Sequence, residues 1–253
     1  MKRLWLPLGL LLLPLSAAAA DKLSLAAAAN LIYALESLQA AFRKTEPATQ
    51  VTVVTGASGS LVAQIQNGAP FDVFLSADLE YPEKLVSLGL ADAASFTKFA
   101  VGRLVLWTTR PGVDVSSVAA LVRDPATKKI AVANLTTAPY GQAAREALTK
   151  LGLWPEAEAK IVLGENITQT AQFVETGNAD AGFVAMSLVL SPRLKDRGRW
   201  LEIDAALYAP LEQGAVITRH GAGNPAAARF LRFLRGPEAR AVFERFGYRL
   251  PGT

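Results

Sequence analysis

From Asp21 onward, short β-branched or apolar runs alternate with longer stretches of helical period, and this alternation restricts the fold more than any other feature. Apolar runs of four to eight residues bounded by turn residues suit buried strands, and the periodic stretches suit helices that cover a sheet. Such βα units build largely parallel sheets, so the expected class is α/β. Candidate strands are Lys22 to Ala26, Val51 to Thr55, Asp72 to Leu75, Gly102 to Trp107, Lys129 to Ala133, Lys160 to Leu163, Ala181 to Ala185, Trp200 to Ile203 and Gly214 to Thr218. Between them, Leu31, Leu35, Leu38 and Phe42 recur at helical spacing, as do Ala144, Leu148 and Leu151, which marks core-facing stripes.

Two features divide this pattern. The stretch Ala91 to Val101 lacks a clean period and is expected to make a first crossing between two lobes, with a second near Tyr208 to Gly214. The expected units are residues 21–100 plus 212–253, and residues 101–211. After the last strand come two helical segments, Pro225 to Leu234 and Pro237 to Phe246, each opened by Pro in its first turn. A terminal helical pair with no further strand is expected to pack back on the earlier lobe.

Residues 1–20 have the layout of a secretory signal: basic Lys2 and Arg3, an apolar run from Leu4 to Leu15, and small residues to Ala20. The apolar run falls short of the roughly twenty residues that span a bilayer, so cleavage after Ala20 and export to a periplasm are expected. Loss of Lys2 and Arg3 leaves 24 basic against 22 acidic side chains, a net charge of +2 with no basic field to attract nucleic acid. The chain has no Cys, which excludes disulfides, thiolate nucleophiles and a lipoprotein attachment site. Its single His, His220, makes a zinc or iron site improbable, and no cofactor is expected.

In parallel α/β sheets, ligands sit beyond the carboxyl ends of the strands, where helices begin and unpaired N–H groups point outward. Four junctions have that character: AAAANL with Asn30 at an expected N-cap, TGASGSL with Ser58 and Ser60 before a helix from Leu61 to Gln66, TTAPYGQAA with Tyr140, and GENITQTA with Ile167 and Thr168. Two fall in each expected lobe, and none supplies Lys or Arg. Helix N-termini converging across a cleft would carry partial positive charge and free donors, a setting for a fully deprotonated anion that can only accept hydrogen bonds.

An enzymatic alternative exists. GASGS lacks the Lys of a P-loop and departs from the hydrolase elbow, with Gly59 directly after Ser58 and Ser60 where the last elbow Gly belongs. A secreted serine esterase would have to pair Ser58 with His220, whose HGAG context follows the nucleophile where an oxyanion loop should precede it. The favoured reading is a binding protein and not an enzyme.

The motifs AAAANL, GASGSL, NGAPFDVFLSAD at 67–78, APYGQAAREALTKLG at 138–152 and the closing FLRGPEARAVFERFGYRL, in this order, resemble the periplasmic molybdate-binding proteins of ATP-driven importers over almost the whole chain after residue 20. The resemblance implies a two-lobed type II solute-binding fold with a two-stranded hinge, acting as a monomer that closes on molybdate or tungstate and passes it to an ABC transporter membrane permease. It implies a ligand held without direct metal bonds by Asn30, Ser58, Tyr140 and Ile167, with Ser58 donating from its hydroxyl and Tyr140 and Ile167 from backbone N–H. Asn30 stands where many relatives have Ser, and Ala185 where many have a ligand-contacting Tyr, which implies that the Asn30 carboxamide replaces the missing tyrosine. Asp78 reads as a cap for a helix at Leu79, since a carboxylate would repel an anion.

Overall fold

The structure, a computed structural model, describes residues 21–252, so the signal reading of residues 1–20 lies outside the described residues. Two five-stranded sheets carry the molecule. The chain first runs β1 (Lys22–Ala28), α1 (Ile32–Thr45), β2 (Gln50–Gly56), α2 (Ser58–Gln66), β3 (Val73–Leu75), α3 (Glu80–Ser87) and β4 (Thr97–Gly102). It continues through β5 (Leu104–Thr108), α4 (Val118–Arg123), β6 (Ile130–Ala133), α5 (Pro139–Lys150), α6 (Trp154–Glu158), β7 (Ile161–Gly164), α7 (Ile167–Glu175), β8 (Ala181–Ala185), α8 (Met186–Val189) and β9 (Arg199–Glu202). It closes with β10 (Leu211–Ile217), α9 (Pro225–Leu234) and α10 (Pro237–Arg245).

The sheets have strand orders β2-β1-β3-β10-β4 and β7-β6-β8-β5-β9. Three strands in each are parallel, while β10 and β5 run antiparallel to both neighbours. The sheets are therefore mixed rather than largely parallel. The reason is topological: β5 and β10 are the strands by which the chain enters each lobe, and each inserts beside the parallel trio from the opposite end.

The expected non-periodic crossing at Ala91 to Val101 is corrected in part, because Thr97–Gly102 forms β4 and pairs with β10. A single residue, Arg103, separates β4 from β5, so the first passage between sheets is nearly continuous strand. The return uses residues 203–210. The two passages are tied together: Leu104 N donates to the Tyr208 hydroxyl at 3.1 Å, Ile203 N to Leu104 O at 3.0 Å, and Arg103 Nε to Glu202 Oε1 at 2.6 Å.

Alternation along β1 explains the packing of the first lobe. Leu23, Leu25 and Ala27 face α1, α9 and α10, whereas Ala26 faces the opposite layer with Leu61, Val62, Ile65 and Phe74. The terminal helical pair packs back on this lobe as expected, with Phe42 edge-on to Phe230 at 5.2 Å and Phe99 against Phe243 at 5.2 Å.

Gly102 ends β4 where the second lobe leans on the hinge. A Cβ there would overlap the Tyr140 hydroxyl and lie 3.1 Å from Gln213 Nε2. Gly102→Ala is expected to cost the closed arrangement about 1–3 kcal/mol by overpacking and to push α5 away from the first lobe. Small-angle scattering should then report a larger radius of gyration than for the wild type.

Candidate functional site

Asn30, Ser58, Tyr140 and Ile167 all line one small cavity of about 10 Å³ between the lobes, together with Ala28, Ala29, Gly56, Ala57, Ala77, Ala138 and Pro139. No lining residue is charged. The alanines keep the walls small, while the polar groups come from strand ends and helix starts. Asn30 and Ser58 are 1% exposed, Tyr140 2% and Ile167 3%, so a solute enters only when the lobes part.

The lobes are closed on each other around this cavity. Gly59 N donates to Thr137 O at 2.9 Å, the Tyr81 hydroxyl to Thr136 O at 2.9 Å, Thr168 Oγ1 to Ala29 O at 3.0 Å, and Ser187 Oγ to Asn30 O at 2.7 Å. Each bond runs between the first and second sheets' lobes.

Helix starts supply the donors. Helix α2 begins at Ser58, three residues earlier than the sequence pattern suggests, and α5 begins with Pro139 followed by Tyr140. Neither has a side-chain cap, and a first-turn N–H has no carbonyl partner within its own helix. In α7, Asn166 accepts from Thr168 N and Gln169 N, which leaves the N–H of Ile167 as the opening donor. The Ser58 hydroxyl accepts from Ala77 N at 3.1 Å, so its own proton is available to the cavity. The arrangement can hold a small, fully deprotonated anion through neutral donors and partial helix charges.

Asn30 differs from its sequence reading. It lies within a 3-10 turn, Ala29–Leu31, and does not cap α1, whose N-cap is Leu31 without a side-chain bond. Its Nδ2 instead donates to Gln213 Oε1 and to the Tyr248 hydroxyl, both at 2.9 Å. Both carboxamide hydrogens are thus spent inside the protein, so the expected replacement of a tyrosine donor by this carboxamide is not what the closed geometry offers. The Tyr140 side chain is likewise turned away, its hydroxyl lodged against Gly102 and pushed well above the usual phenol range by burial. Neither that hydroxyl nor Asn30 Oδ1 completes a hydrogen bond of its own.

Sequence reasoning missed Gln213, Tyr248 and Ser187, which hold Asn30 in place. One weak signal was available: Gln213 directly precedes the run that starts at Gly214, and a polar residue buried beside a strand needs a partner. Ala185, at the position lacking the tyrosine, is fully buried and opens α8, and Ser187 on that helix reaches Asn30 O.

His220 sits far from this chemistry. It is exposed in a surface groove with Ile65, Gln66, Thr218 and Arg219, while the Ser58 hydroxyl bonds to Ala77 N. The esterase reading therefore fails, because its nucleophile and its base lie in different places.

Residues 23–249 match the family of bacterial extracellular solute-binding proteins. The chain belongs to that family. This solute-binding protein is 42% identical over 250 residues to the molybdate-binding protein ModA of Azotobacter vinelandii, covering 99% of this chain and 98% of the relative. It is 40% identical over 231 residues to ModA of Rhodobacter capsulatus, covering 91% and 89%. Among solved structures, the Azotobacter vinelandii periplasmic molybdate-binding protein superposes with a TM-score of 0.85 at 37% identity, covering 90% of this chain and 99% of that one. The sulfate-binding protein SubI from Mycobacterium tuberculosis gives 0.77 at 14% identity, covering 92% and 88%, a likeness of fold alone.

Next in sequence to the cavity-lining Ala77, Asp78 is not the N-cap expected of it: α3 begins at Glu80 with Leu79 as its N-cap, and Asp78 stands one residue further out, accepting from Tyr81 N at 3.1 Å and from Ser76 Oγ at 2.9 Å. Burial pushes its carboxyl up to about 6, against the pull of those two hydrogen bonds. The folded state then binds a proton more tightly than the unfolded chain, so the associated stability is full below about pH 4 and is lost as pH rises through 6. Asp78→Asn is expected to remove that step and to raise stability at pH 7 by on the order of 1 kcal/mol, with little change at pH 4. Thermal melts of the two proteins across this range are the check.

Proposed function

We propose that this solute-binding protein captures molybdate or tungstate between its lobes outside the cytoplasm and delivers it to the permease of an ABC transporter. The observation that carries the reading is the buried cavity lined by Asn30, Ser58, Tyr140 and Ile167 without a single charged side chain. Neutral donors favour a permanently deprotonated dianion over species that must share a proton, since each donor needs an acceptor lone pair. The relatives at 42% and 40% identity bear the name of molybdate-binding proteins, which supports the choice of ion.

In this reading the Ser58 hydroxyl donates to the ion, together with backbone N–H groups at Ser58, Tyr140 and Ile167. Asn30 contributes through the wall it forms, with its carboxamide held from behind. The two expected units, 21–100 plus 212–253 and 101–211, with their bounds shifted to the passages at Arg103 and residues 203–210, move as two bodies, and closure traps the ion. The protein works in the periplasm, with the signal removed after Ala20, so that mass spectrometry of the exported chain finds Asp21 first.

Titration calorimetry is expected to show tight binding of molybdate and tungstate and weak binding of sulfate and phosphate. Sulfate offers the same acceptors, so the discrimination rests on cavity size, and equal affinity for sulfate would sink the assignment. Ser58→Ala is expected to weaken molybdate binding by about 1.5–3 kcal/mol, because it removes a hydrogen bond to a charged partner. His220→Ala should leave the affinity unchanged.

A further inference from the structure

The side chain of Gln213 is fully buried on β10, at the point where the ladder with β4 shifts register. Its carboxamide is completely used. Nε2 donates to Ala77 O at 3.1 Å and to Leu211 O at 2.9 Å, and Oε1 accepts from Asn30 Nδ2 at 2.9 Å. Since both Nε2 hydrogens end on carbonyls, the amide cannot be turned around, and Asn30 must present nitrogen to Oε1. The second Asn30 N–H goes to the Tyr248 hydroxyl, whose own proton returns to Asn30 O at 3.0 Å.

The other arm of Gln213 leads to Ser58. The Ala77 residue held through its carbonyl donates its N–H to Ser58 Oγ at 3.1 Å, the bond that frees the serine proton for the cavity. One buried carboxamide thus grips two of the cavity's polar residues, which come from separate strand-to-helix junctions 28 positions apart in sequence. It does so from the strand by which the chain returns to the first lobe.

We infer that Gln213 is a positioning residue for oxoanion capture, fixing Asn30 and the Ser58 hydroxyl in the geometry that the closed cavity needs. The inference rests on the reading of Asn30 and Ser58 as parts of the molybdate site. A buried glutamine with only a structural role would lower stability and would affect binding equally whatever stands at positions 30 and 58. A positioning residue acts through those two side chains and loses its influence when they are gone.

The test uses the full exported chain, with molybdate as probe, calorimetry for affinity and a thermal scan of the ligand-free protein. Gln213→Met keeps the volume and removes every hydrogen bond, and it is expected to weaken molybdate binding by about tenfold or more. In the Asn30→Ala, Ser58→Ala background the same change is expected to leave affinity within about twofold. Gln213→Glu keeps an oxygen facing Asn30 Nδ2 but has at most one O–H, and none when ionised, for the two carbonyls that Nε2 serves, so it is expected to show a loss in the same direction and serves where the methionine variant fails to fold. Wild-type affinity in both Gln213 variants, or an equal loss in both backgrounds, overturns the inference while leaving the proposed function intact. A wild-type protein that does not bind molybdate overturns the proposed function itself, and the inference with it.

Discussion

The lobes meet through hydrogen bonds made at the ends of strands and the starts of helices, and the closed cavity depends on that coincidence. Thr168 and Ser187 of the second lobe bond to the carbonyls of Ala29 and Asn30, the two residues that follow β1. Gly59, in the first turn of α2, bonds to Thr137 just before α5. Backbone groups that an α/β sheet leaves unpaired at its carboxyl edge are thereby divided into two sets. One set zips the lobes together, and the other is left facing the enclosed space.

With the cavity as the proposed anion site, this division explains why it needs no formal charge of its own. Burying a lysine or arginine opposite the ion would cost desolvation in the open state, when no anion is present to repay it. N–H donors and one hydroxyl carry smaller, fixed partial charges, and the strand-helix junctions orient them in advance. The cost appears elsewhere: the polar atoms behind the wall must satisfy each other out of contact with water. Gln213, Asn30 and Tyr248 do so in a closed set of donors and acceptors, and the Tyr140 hydroxyl and Asn30 Oδ1 are the places where the set is incomplete. Incomplete pairs of this kind sit where the second lobe leans on Gly102, so polar mismatch and tight packing coincide at the hinge.

Asp78 shows the same economy from the other side. A carboxylate beside an anion cavity is tolerated because its oxygens are turned to the first turn of α3 and because burial keeps part of it protonated near pH 6. The neighbouring residue Ala77 remains free to serve Ser58 and Gln213 through its two backbone groups.

The sequence by itself determined the class, the alternation of elements, the packing of the final helical pair and the four junctions, because these follow from local periodicity and from the chemistry of helix starts. It also led to the four residues that the structure gathers on one cavity. What it misjudged was non-local. The strand at Thr97–Gly102 was missed because its pattern, TKFAVG, is set by pairing with β10 more than a hundred residues later. The neighbours of Asn30 in sequence suggest a cap, and the family resemblance implies a ligand donor in its carboxamide. Tertiary structure decided otherwise, by bringing Gln213 and Tyr248 to it from 183 and 218 residues away. A side-chain amide takes the partners that burial brings to it, and only the folded chain says which those are.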